Sequence, residues 1–188
     1  MADIITPDRL RWVWLDLEMT GLNVDRDVIL EISTLITDGN LTLIARGPTI
    51  VIYQDETTLK LMDAWCWEHH TKSKLVDEVR VSQYNTLQAE QETLNFLKMY
   101  CKERQAVLCG SSIWQDRVFL MRHMPSIHNF LHYRMIDVSS IKSVARAWYP
   151  TSPLFNLPKR ETHRAQADVD DSIMQLQQLR EHFWIPKE

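Results

Sequence analysis

The sequence contains little of what marks secreted, membrane-spanning or disordered proteins. Its three cysteines, Cys66, Cys101 and Cys109, are an odd number with no C-x-x-C spacing, which argues against a disulfide framework and a structural zinc site. Only four glycines and no low-complexity run leave little room for a disordered linker. No apolar secretory signal opens the chain, and no apolar run approaches the roughly 20 residues that cross a bilayer. These absences favour a protein of the reducing cytoplasm with no membrane partner.

Basic charge is also scarce. The formal net charge is −4, with 25 acidic and 21 basic residues, and Lys and Arg never occur in runs longer than two. Proteins that hold long nucleic acids independently of sequence usually carry a basic face. Any nucleic-acid substrate should therefore be short, or held mainly by metal ions and local pockets.

The pattern of apolar residues predicts one α/β domain over residues 1–188. Predicted strands cover 12–17, 28–37, 41–52, 106–109 and 135–138, and predicted helices cover 86–104, 115–123, from Ser139 or Ser140 to 148, and 165–182. The turn residues Asp38-Gly39-Asn40 predict a hairpin, so that the first three strands are antiparallel. The order of elements predicts a mixed sheet flanked by helices.

Asp16 and Glu18 come at the end of the first predicted strand. Their side chains share a face, about 6–7 Å apart between Cα atoms, because side chains alternate along a strand. Trp12 and Trp14 share this face, whereas Val13, Leu15 and Leu17 occupy the other. The strand is therefore predicted to be buried on both faces, as a central strand would be. Two carboxylates in such a strand are costly unless something positive compensates them. By itself, however, Asp-x-Glu also fits a strand that has emerged into solvent with ordinary surface acids.

Two further acids and one histidine come from separate segments. Helical spacing turns Asp116 toward the core, although an acid also favours any helix N-terminus. In the last predicted helix, Asp168 lies roughly 60° from the centre of the apolar stripe, whereas Asp171 and Asp170 lie about 120° and 140° away. Asp168 is therefore the acid most able to reach into the domain. His163, five residues earlier, by itself also fits a loop histidine that caps nearby carbonyls.

Together these residues meet the demands of phosphodiester hydrolysis. Two divalent ions about 4 Å apart neutralise charge, polarise the attacking water and stabilise the leaving oxygen. Hard ions such as Mg²⁺ or Mn²⁺ require oxygen ligands, which four carboxylates from three segments supply. One histidine near the water can remove its proton at neutral pH. The pattern acid-x-acid, a later Asp and then His-x4-Asp satisfies all of these demands.

The same residues resemble the motifs of a known exonuclease group. The three motifs of the DEDDh superfamily of 3′→5′ exonucleases resemble Asp16-Leu-Glu-Met-Thr-Gly-Leu22, Asp116 and His163…Asp168. From about residue 12 to 183 the chain is more closely similar to the oligoribonuclease family. The segments that carry this likeness are Leu15-Asp-Leu-Glu-Met-Thr-Gly-Leu22, Leu61-Met-Asp-Ala-Trp65, Cys109-Gly-Ser-Ser-Ile-Trp-Gln-Asp-Arg117, His132-Tyr-Arg-Met-Ile-Asp-Val-Ser139 and Glu161-Thr-His-Arg-Ala165.

The resemblance implies a ribonuclease H-like fold, a homodimer, and release of 5′-mononucleotides from very short RNA. It implies that His163 is the general base and that the metal ligands are Asp16, Glu18, Asp116 and Asp168. The implied substrate contacts are Leu22 and Trp65 at the bases, His70 and Ser112 at the terminal nucleotide and phosphate, and Tyr133 stacking on a base from the partner subunit. Those implied around the 5′ phosphate are Arg134, also donated by the partner, with Ser139, Ser140 and Lys142.

Without the resemblance, the residues themselves do not decide the role of several of these positions. Trp65 fits a core tryptophan as well as an exposed one that stacks on a base. Tyr133 and Arg134 fit the start of a strand with a surface charge. Ser139 and Ser140 fit a helix cap, whose exposed N–H groups would also form an anion site.

Two residues depart from the family pattern. Ser111 stands where Asn is usual and Trp114 where a small residue is common, which affects the shape of the pocket more than the ligand Asp116.

Two competing functions remain. A related exonuclease that trims longer RNA or DNA is disfavoured by the net charge of −4. A catalytically silent nucleic-acid-binding module is disfavoured because the expected active-site positions are all intact.

Overall fold

A computed structural model describes residues 7–156 and 164–184 of the chain. These residues form a five-stranded sheet with the strand order β3-β2-β1-β4-β5. Strands β1 to β3 are antiparallel, whereas β4 and β5 run parallel to β1. The strands are β1 Trp12–Met19, β2 Ile29–Thr37, β3 Leu43–Val51, β4 Val107–Gly110 and β5 Met135–Asp137. The mixed sheet and the antiparallel first three strands confirm the sequence prediction.

Helices cover both faces of this sheet. They are α1 Glu56–Leu59, α2 Ala64–Lys72, α3 Leu75–Val81, α4 Thr86–Tyr100, α5 Trp114–His123, α6 Pro125–Phe130, α7 Val138–Trp148 and α8 Ala165–Phe183. Short 3₁₀ turns occur at Pro7–Arg9 and Pro153–Asn156. Within the described ranges, none of these helices has the length and apolar character needed to cross a membrane.

Strand β1 is buried on both faces, as predicted for a central strand. Val13, Leu15 and Leu17 enter one core with residues of α4, α5 and α6. On the opposite face, Trp14 enters a second core with residues of α7 and α8, and its indole N–H donates to Thr37 Oγ1 at 2.9 Å. Burying a large apolar side chain is worth about 1.5–3 kcal/mol, so these contacts fix the strand in the middle of the domain. The end of β1, which carries Asp16 and Glu18, is thereby held in place.

The N-terminus of α4 agrees with the sequence prediction, whereas its C-terminus was predicted too far along the chain. Asn85 and Gln88 form a reciprocal capping box, in which each side chain accepts from the other residue's backbone N–H at 2.9 Å. The helix ends at Tyr100 rather than at 104, because Cys101 adopts an extended backbone.

The cap of α7 corrects the sequence prediction. Neither Ser139 nor Ser140 caps the helix, because α7 already begins at Val138 and both serines lie inside it. Asp137 is the N-cap, and its Oδ1 accepts the backbone N–H groups of Ser139 at 2.9 Å and Ser140 at 3.4 Å. A carboxylate satisfies these donors and also interacts favourably with the positive end of the helix dipole.

Candidate active site

Three carboxylates from two elements converge at the end of β1. Asp16 and Glu18 point from the same face of the strand, and Asp168 lies in the first turn of α8, which packs across β1 and β2. One oxygen of each carboxylate lies within 4.8 Å of the others. The preference of the helical wheel for Asp168 agrees with this placement, and Asp170 instead makes a surface ion pair with Arg46 at 3.1 Å.

Asp116 contacts β1 from the side on which β1 pairs with β4. The pairing of β4 with β1 ends at Trp14 and Cys109, so the backbone beyond that point has no strand partner on this side within the described part of the chain. There, the N–H of Leu17 donates to Asp116 Oδ1 at 2.9 Å. Asp116 is buried in the first turn of α5, and this bond fixes it against the backbone between Asp16 and Glu18.

Each of these four carboxyls holds its proton more tightly than an isolated acid. Burial, followed by repulsion from Asp116, raises the pKa of Asp16 well above its ordinary value. Burial, followed by repulsion from Asp168 and Glu31, raises the pKa of Glu18 to about 8. Burial also raises the pKa of Asp116 to about 7 and that of Asp168 to about 6. A cation among the oxygens of such a cluster would compensate this concentration of negative charge.

The chemistry of the donor set fits a hard divalent cation. Asp16, Glu18 and Asp168 offer only carboxylate oxygens, and oxygen ligands are those that Mg²⁺ and Mn²⁺ prefer. Asp116 adds a fourth carboxylate beside them. The predicted fifth member, His163, lies outside the described residues.

The sequence analysis missed an ion-pair network beside the cluster, which is centred on one buried carboxylate. Glu31 on β2 is fully buried and lies opposite Glu18 in the antiparallel register. The guanidinium of Arg164 donates to Glu31 Oε1 at 2.7 Å and to Glu78 Oε2 at 2.7 Å. The available signal was a single charged residue within the apolar run Ile29–Thr37.

His70 contacts the acid cluster rather than the open surface. Its side chain is only 3% exposed, with Nε2 2.9 Å from the carbonyl oxygen of Met19 and Nδ1 3.8 Å from Glu18 Oε2. His70 therefore lies between the backbone at the end of β1 and the carboxylate of Glu18.

The loop between β1 and β2 holds Leu22 at the surface. The side chain of Leu22 is 70% exposed, and its carbonyl oxygen accepts from Gln115 Nε2 at 3.1 Å. Beneath it the buried carboxylate of Asp27 accepts the N–H of Asn23 at 2.9 Å. A Cβ added at Gly21 would collide with this carboxylate, so the loop backbone passes directly over Asp27. These contacts fix Leu22 in an exposed position.

Two aromatic residues of the predicted substrate contacts are exposed. Trp65 is 58% exposed and stacks on the ring of His69 at a centroid distance of 3.9 Å, which excludes the core alternative. Tyr133 is 67% exposed, with the ring of His132 at 4.4 Å and the guanidinium of Arg134 at 5.4 Å. Flat exposed rings of this kind suit stacking on bases.

A cleft of about 750 Å³ connects the acids with several of the remaining predicted residues. Asp16 and Asp168 line it together with Ser112, Ser139 and Lys142. The Nζ atom of Lys142 lies 3.1 Å from Gln175 Oε1 on α8. Ser140 is exposed and donates its hydroxyl to Asp137 Oδ2 at 3.0 Å, and neither Tyr133 nor Arg134 is among the described residues that line this cleft.

Asp137 occupies the backbone donors that were expected to bind an anion. Besides the N–H groups of Ser139 and Ser140, its Oδ1 accepts the N–H of Ser112 at 2.9 Å, where the backbone has a positive φ of 54°. The hydroxyl of Ser112 donates to Ser139 Oγ at 3.1 Å. The expectation of free N–H groups at this helix end is therefore wrong, and Ser112, Ser139 and Lys142 line the cleft through other groups than these N–H donors.

Of the two departures from the family pattern, Ser111 lines the cleft. Ser111 Oγ is 2.8 Å from Ser172 Oγ, which joins the turn before α5 to the helix that carries Asp168. Trp114 is more than half exposed at the start of α5 and leaves Asp116 in contact with β1.

Comparison with known proteins gives a consistent result over most of the chain. The family profile RNase_T, described as an exonuclease, matches residues 13–176. The chain is 46% identical over 173 residues to an oligoribonuclease of Dichelobacter nodosus, which covers 92% of this chain and 94% of the relative. It is also 46% identical over 171 residues to an oligoribonuclease of Escherichia coli K12, covering 91% and 94% of the two chains.

Solved structures share the fold at much lower identity. Pop2p of S. pombe, in a form with Mg²⁺ and Mn²⁺ bound, matches with a TM-score of 0.70 at 12% identity, over 94% of this chain and 85% of that one. Exonuclease I of E. coli, in complex with a dT13 oligonucleotide, matches with a TM-score of 0.70 at 13% identity, over 91% and 41% of the chains. The sheet and its flanking helices therefore form the ribonuclease H-like fold of exonucleases.

Proposed function

Because this chain belongs to the oligoribonuclease family of 3′→5′ exoribonucleases, we propose that it degrades RNA of two to a few nucleotides to 5′-mononucleotides. The observation that carries this choice of substrate is the cleft of about 750 Å³ with Asp16 and Asp168 in its wall. Its volume lies within the roughly 300–1,000 Å³ range of small-ligand sites. A net charge of −4 further disfavours a long polyanion.

The catalytic metal is proposed to be a pair of Mg²⁺ or Mn²⁺ ions. Exonucleases of this family depend on divalent metal, and the oxygens of Asp16, Glu18 and Asp168 within 4.8 Å of one another support a shared site. Asp116 is proposed as the fourth ligand, because it lies against the same strand. When bound, two such ions neutralise the charge of the scissile phosphate and stabilise the leaving oxygen.

His163 is proposed as the general base by the position of its motif. A neutral imidazole accepts one proton from the attacking water, whose oxygen bonds to phosphorus. The bond between phosphorus and the 3′ oxygen of the preceding nucleotide breaks, that oxygen takes up a proton from solvent, and the terminal nucleotide leaves with its 5′ phosphate. His70 is proposed to contact the terminal nucleotide, and from 3.8 Å away it is also proposed to hold the carboxylate of Glu18 in position.

The remaining predicted residues are proposed to bind the substrate. Exposed Leu22 and Trp65 suit contacts to the bases, since one is apolar and the other offers a flat ring. The hydroxyl of Ser112 and the wall formed by Ser139 and Lys142 suit phosphate groups, with Ser140 beside them at the exposed start of α7.

A homodimer is proposed because two predicted contacts do not line the described cleft of their own chain. Tyr133 and Arg134 are exposed and stacked on each other, so they are available to complete the cleft of a second copy. We further propose that the chain is a single exonuclease domain over 1–188 and that it acts in the cytoplasm.

An assay on 5′-labelled RNA from two to about twenty nucleotides tests this function. Dinucleotide should be cleaved with a kcat/KM at least equal to that of the longest RNA, in Mg²⁺ or Mn²⁺ but not in excess EDTA. Asp16→Asn should be inactive, whereas the matched neutral change Asp170→Asn, in the surface pair with Arg46, should retain activity. A strong preference for the longest RNA would favour an exonuclease that trims long ends. Inactivity of folded, metal-loaded protein on every length would favour a silent binding module.

A further inference from the structure

Glu31 is a buried carboxylate that the proposed reaction does not use. It is fully buried on β2, and its strand partner across the antiparallel register is Glu18. Like charges directly opposite one another destabilise a sheet. Retaining Glu31 at this position therefore requires strong compensating contacts.

Arg164 and the start of α8 supply those contacts. The guanidinium donates to Glu31 through Nη2 at 2.7 Å and through Nε at 3.2 Å. The backbone N–H of Ala165, the first residue of α8, donates to Glu31 Oε2 at 2.9 Å. Glu31 thus satisfies one of the unpaired N–H groups at the helix N-terminus, although it lies 134 residues earlier in the sequence.

These bonds connect Glu31 to the acid cluster by a short path. Arg164 is the N-cap of α8, and its carbonyl oxygen accepts the N–H of Asp168 at 3.1 Å. Asp168 is the member of the cluster that α8 contributes, and an oxygen of its carboxylate lies within 4.8 Å of one from Glu18. Glu31 therefore fixes the helix turn that carries Asp168 to the strand that carries Glu18.

We propose that Glu31 is a positioning residue for the metal site. It holds the first turn of α8 through Arg164 and Ala165, so that the carboxylate of Asp168 stands beside those of Asp16 and Glu18. This inference rests on the proposed metal site and goes beyond it, because Glu31 itself is not a ligand. Residues that orient ligands from behind typically affect metal affinity or activity about 10–100-fold.

Glu78 provides a matched control within the same network. It accepts from Arg164 at 2.9 and 2.7 Å, so it shares the guanidinium with Glu31. Its side chain is 45% exposed on α3 and binds the guanidinium from the outer side, whereas Glu31 also accepts from the backbone of α8. A change at Glu78 removes one charge from the network and leaves the Glu31 contacts to α8 in place.

The test measures Mn²⁺ binding directly, by electron paramagnetic resonance or calorimetry, in wild type, Glu31→Gln and Glu78→Gln. Glutamine has one acceptor oxygen where Glu31 has two, so it cannot accept from both Arg164 and the N–H of Ala165, whereas Glu78→Gln leaves both Glu31 oxygens in place. Glu31→Gln should bind Mn²⁺ about 10–100-fold more weakly, and Glu78→Gln less than about threefold. High Mn²⁺ should return the kcat of Glu31→Gln on dinucleotide toward the wild-type value, as a positioning role requires.

Equal Mn²⁺ affinity in wild type and folded Glu31→Gln would overturn the inference, even if the melting temperature fell. If Glu31→Gln does not fold, Arg164→Lys takes its place, because lysine keeps the charge but loses the fork that binds two carboxylates. Arg164→Lys should weaken Mn²⁺ binding by at least about fivefold, and unchanged binding would again overturn the inference. Wild-type protein that binds no Mn²⁺, or an Asp16→Asn variant that binds it normally, would instead overturn the proposed metal site and this inference with it.

Discussion

Neutralising Glu18 should stabilise the metal-free protein at alkaline pH. Burial, with repulsion from Asp168 and Glu31, raises the pKa of Glu18 from its ordinary 4.5 to about 8. Between these two values the folded protein holds a proton that the unfolded chain releases, so the free energy of unfolding falls as pH rises. The stabilising contribution is fully present below about pH 4.5 and is lost by about pH 8. A glutamine side chain is uncharged at any pH, so the Glu18→Gln variant avoids this loss.

The size of the effect follows from the two pKa values of Glu18. Each pKa unit corresponds to about 1.4 kcal/mol, so the rise amounts to roughly 5 kcal/mol at pH 8. The side chain is only 12% exposed, so solvent screens it little. Because an amide packs differently from a carboxylic acid, we expect a gain of about 2–5 kcal/mol at pH 8 and less than about 1 kcal/mol at pH 5. Most single substitutions destabilise a protein, so a gain of this size is diagnostic.

Urea unfolding in excess EDTA at pH 5 and pH 8 measures this difference. Asp170→Asn is the control, because it neutralises an acid in an exposed pair with Arg46 and should change stability by less than about 1 kcal/mol at either pH. Adding Mn²⁺ at pH 8 should stabilise the wild type more than Glu18→Gln, since a ligand stabilises the state that binds it. The reasoning fails if Glu18→Gln is no more stable than wild type at pH 8, or if its gain is the same at both pH values.

Three further predictions concern catalysis and assembly. His163→Ala should lower kcat by roughly 10²–10⁴ while Mn²⁺ and dinucleotide binding change little, and near-normal kcat would assign proton removal to another group. Mixing inactive Tyr133→Ala and Asp116→Asn proteins should restore part of the activity through a heterodimer with one intact composite site, whereas strictly monomeric light scattering at micromolar concentration would argue against it. Dinucleotide affinity should depend only weakly on salt because few phosphates are contacted, and a steep slope in fluorescence titrations would indicate a longer binding track.

Local periodicity was enough to identify the elements that carry the acids. Alternation along 12–17 predicted that Asp16 faces away from Leu15 and Leu17, and the structure has that arrangement in a strand buried on both faces. The apolar stripe of the last helix predicted which acid turns inward, and Val169 and Leu176 of that stripe are buried. These predictions succeeded because each depends only on neighbours within one element.

Contacts between distant segments were beyond the same reasoning. Nothing in the local pattern pairs Glu31 with Arg164, which lie 133 residues apart, because an ion pair leaves no periodic signal. Asp137 was overlooked as a cap because two serines follow it closely, and only the geometry of β5 and α7 decides which residue is the last outside the helix. The short helix α6 escaped prediction because six residues, beginning at Pro125, are too few to establish a stripe.

The loop that carries Leu22 has a consequence for the entropy of binding. Thr20 and Val28 close it with a backbone bond of 3.0 Å, and Asp27 fills its interior. Fixing a flexible backbone costs about 1–2 kcal/mol per residue, and here that cost is met when the protein folds rather than when a ligand arrives. A dinucleotide makes few contacts, so little of its interaction energy is left over for ordering its receptor. A loop that is already ordered in the free protein therefore adds no ordering cost of its own when so small a ligand binds.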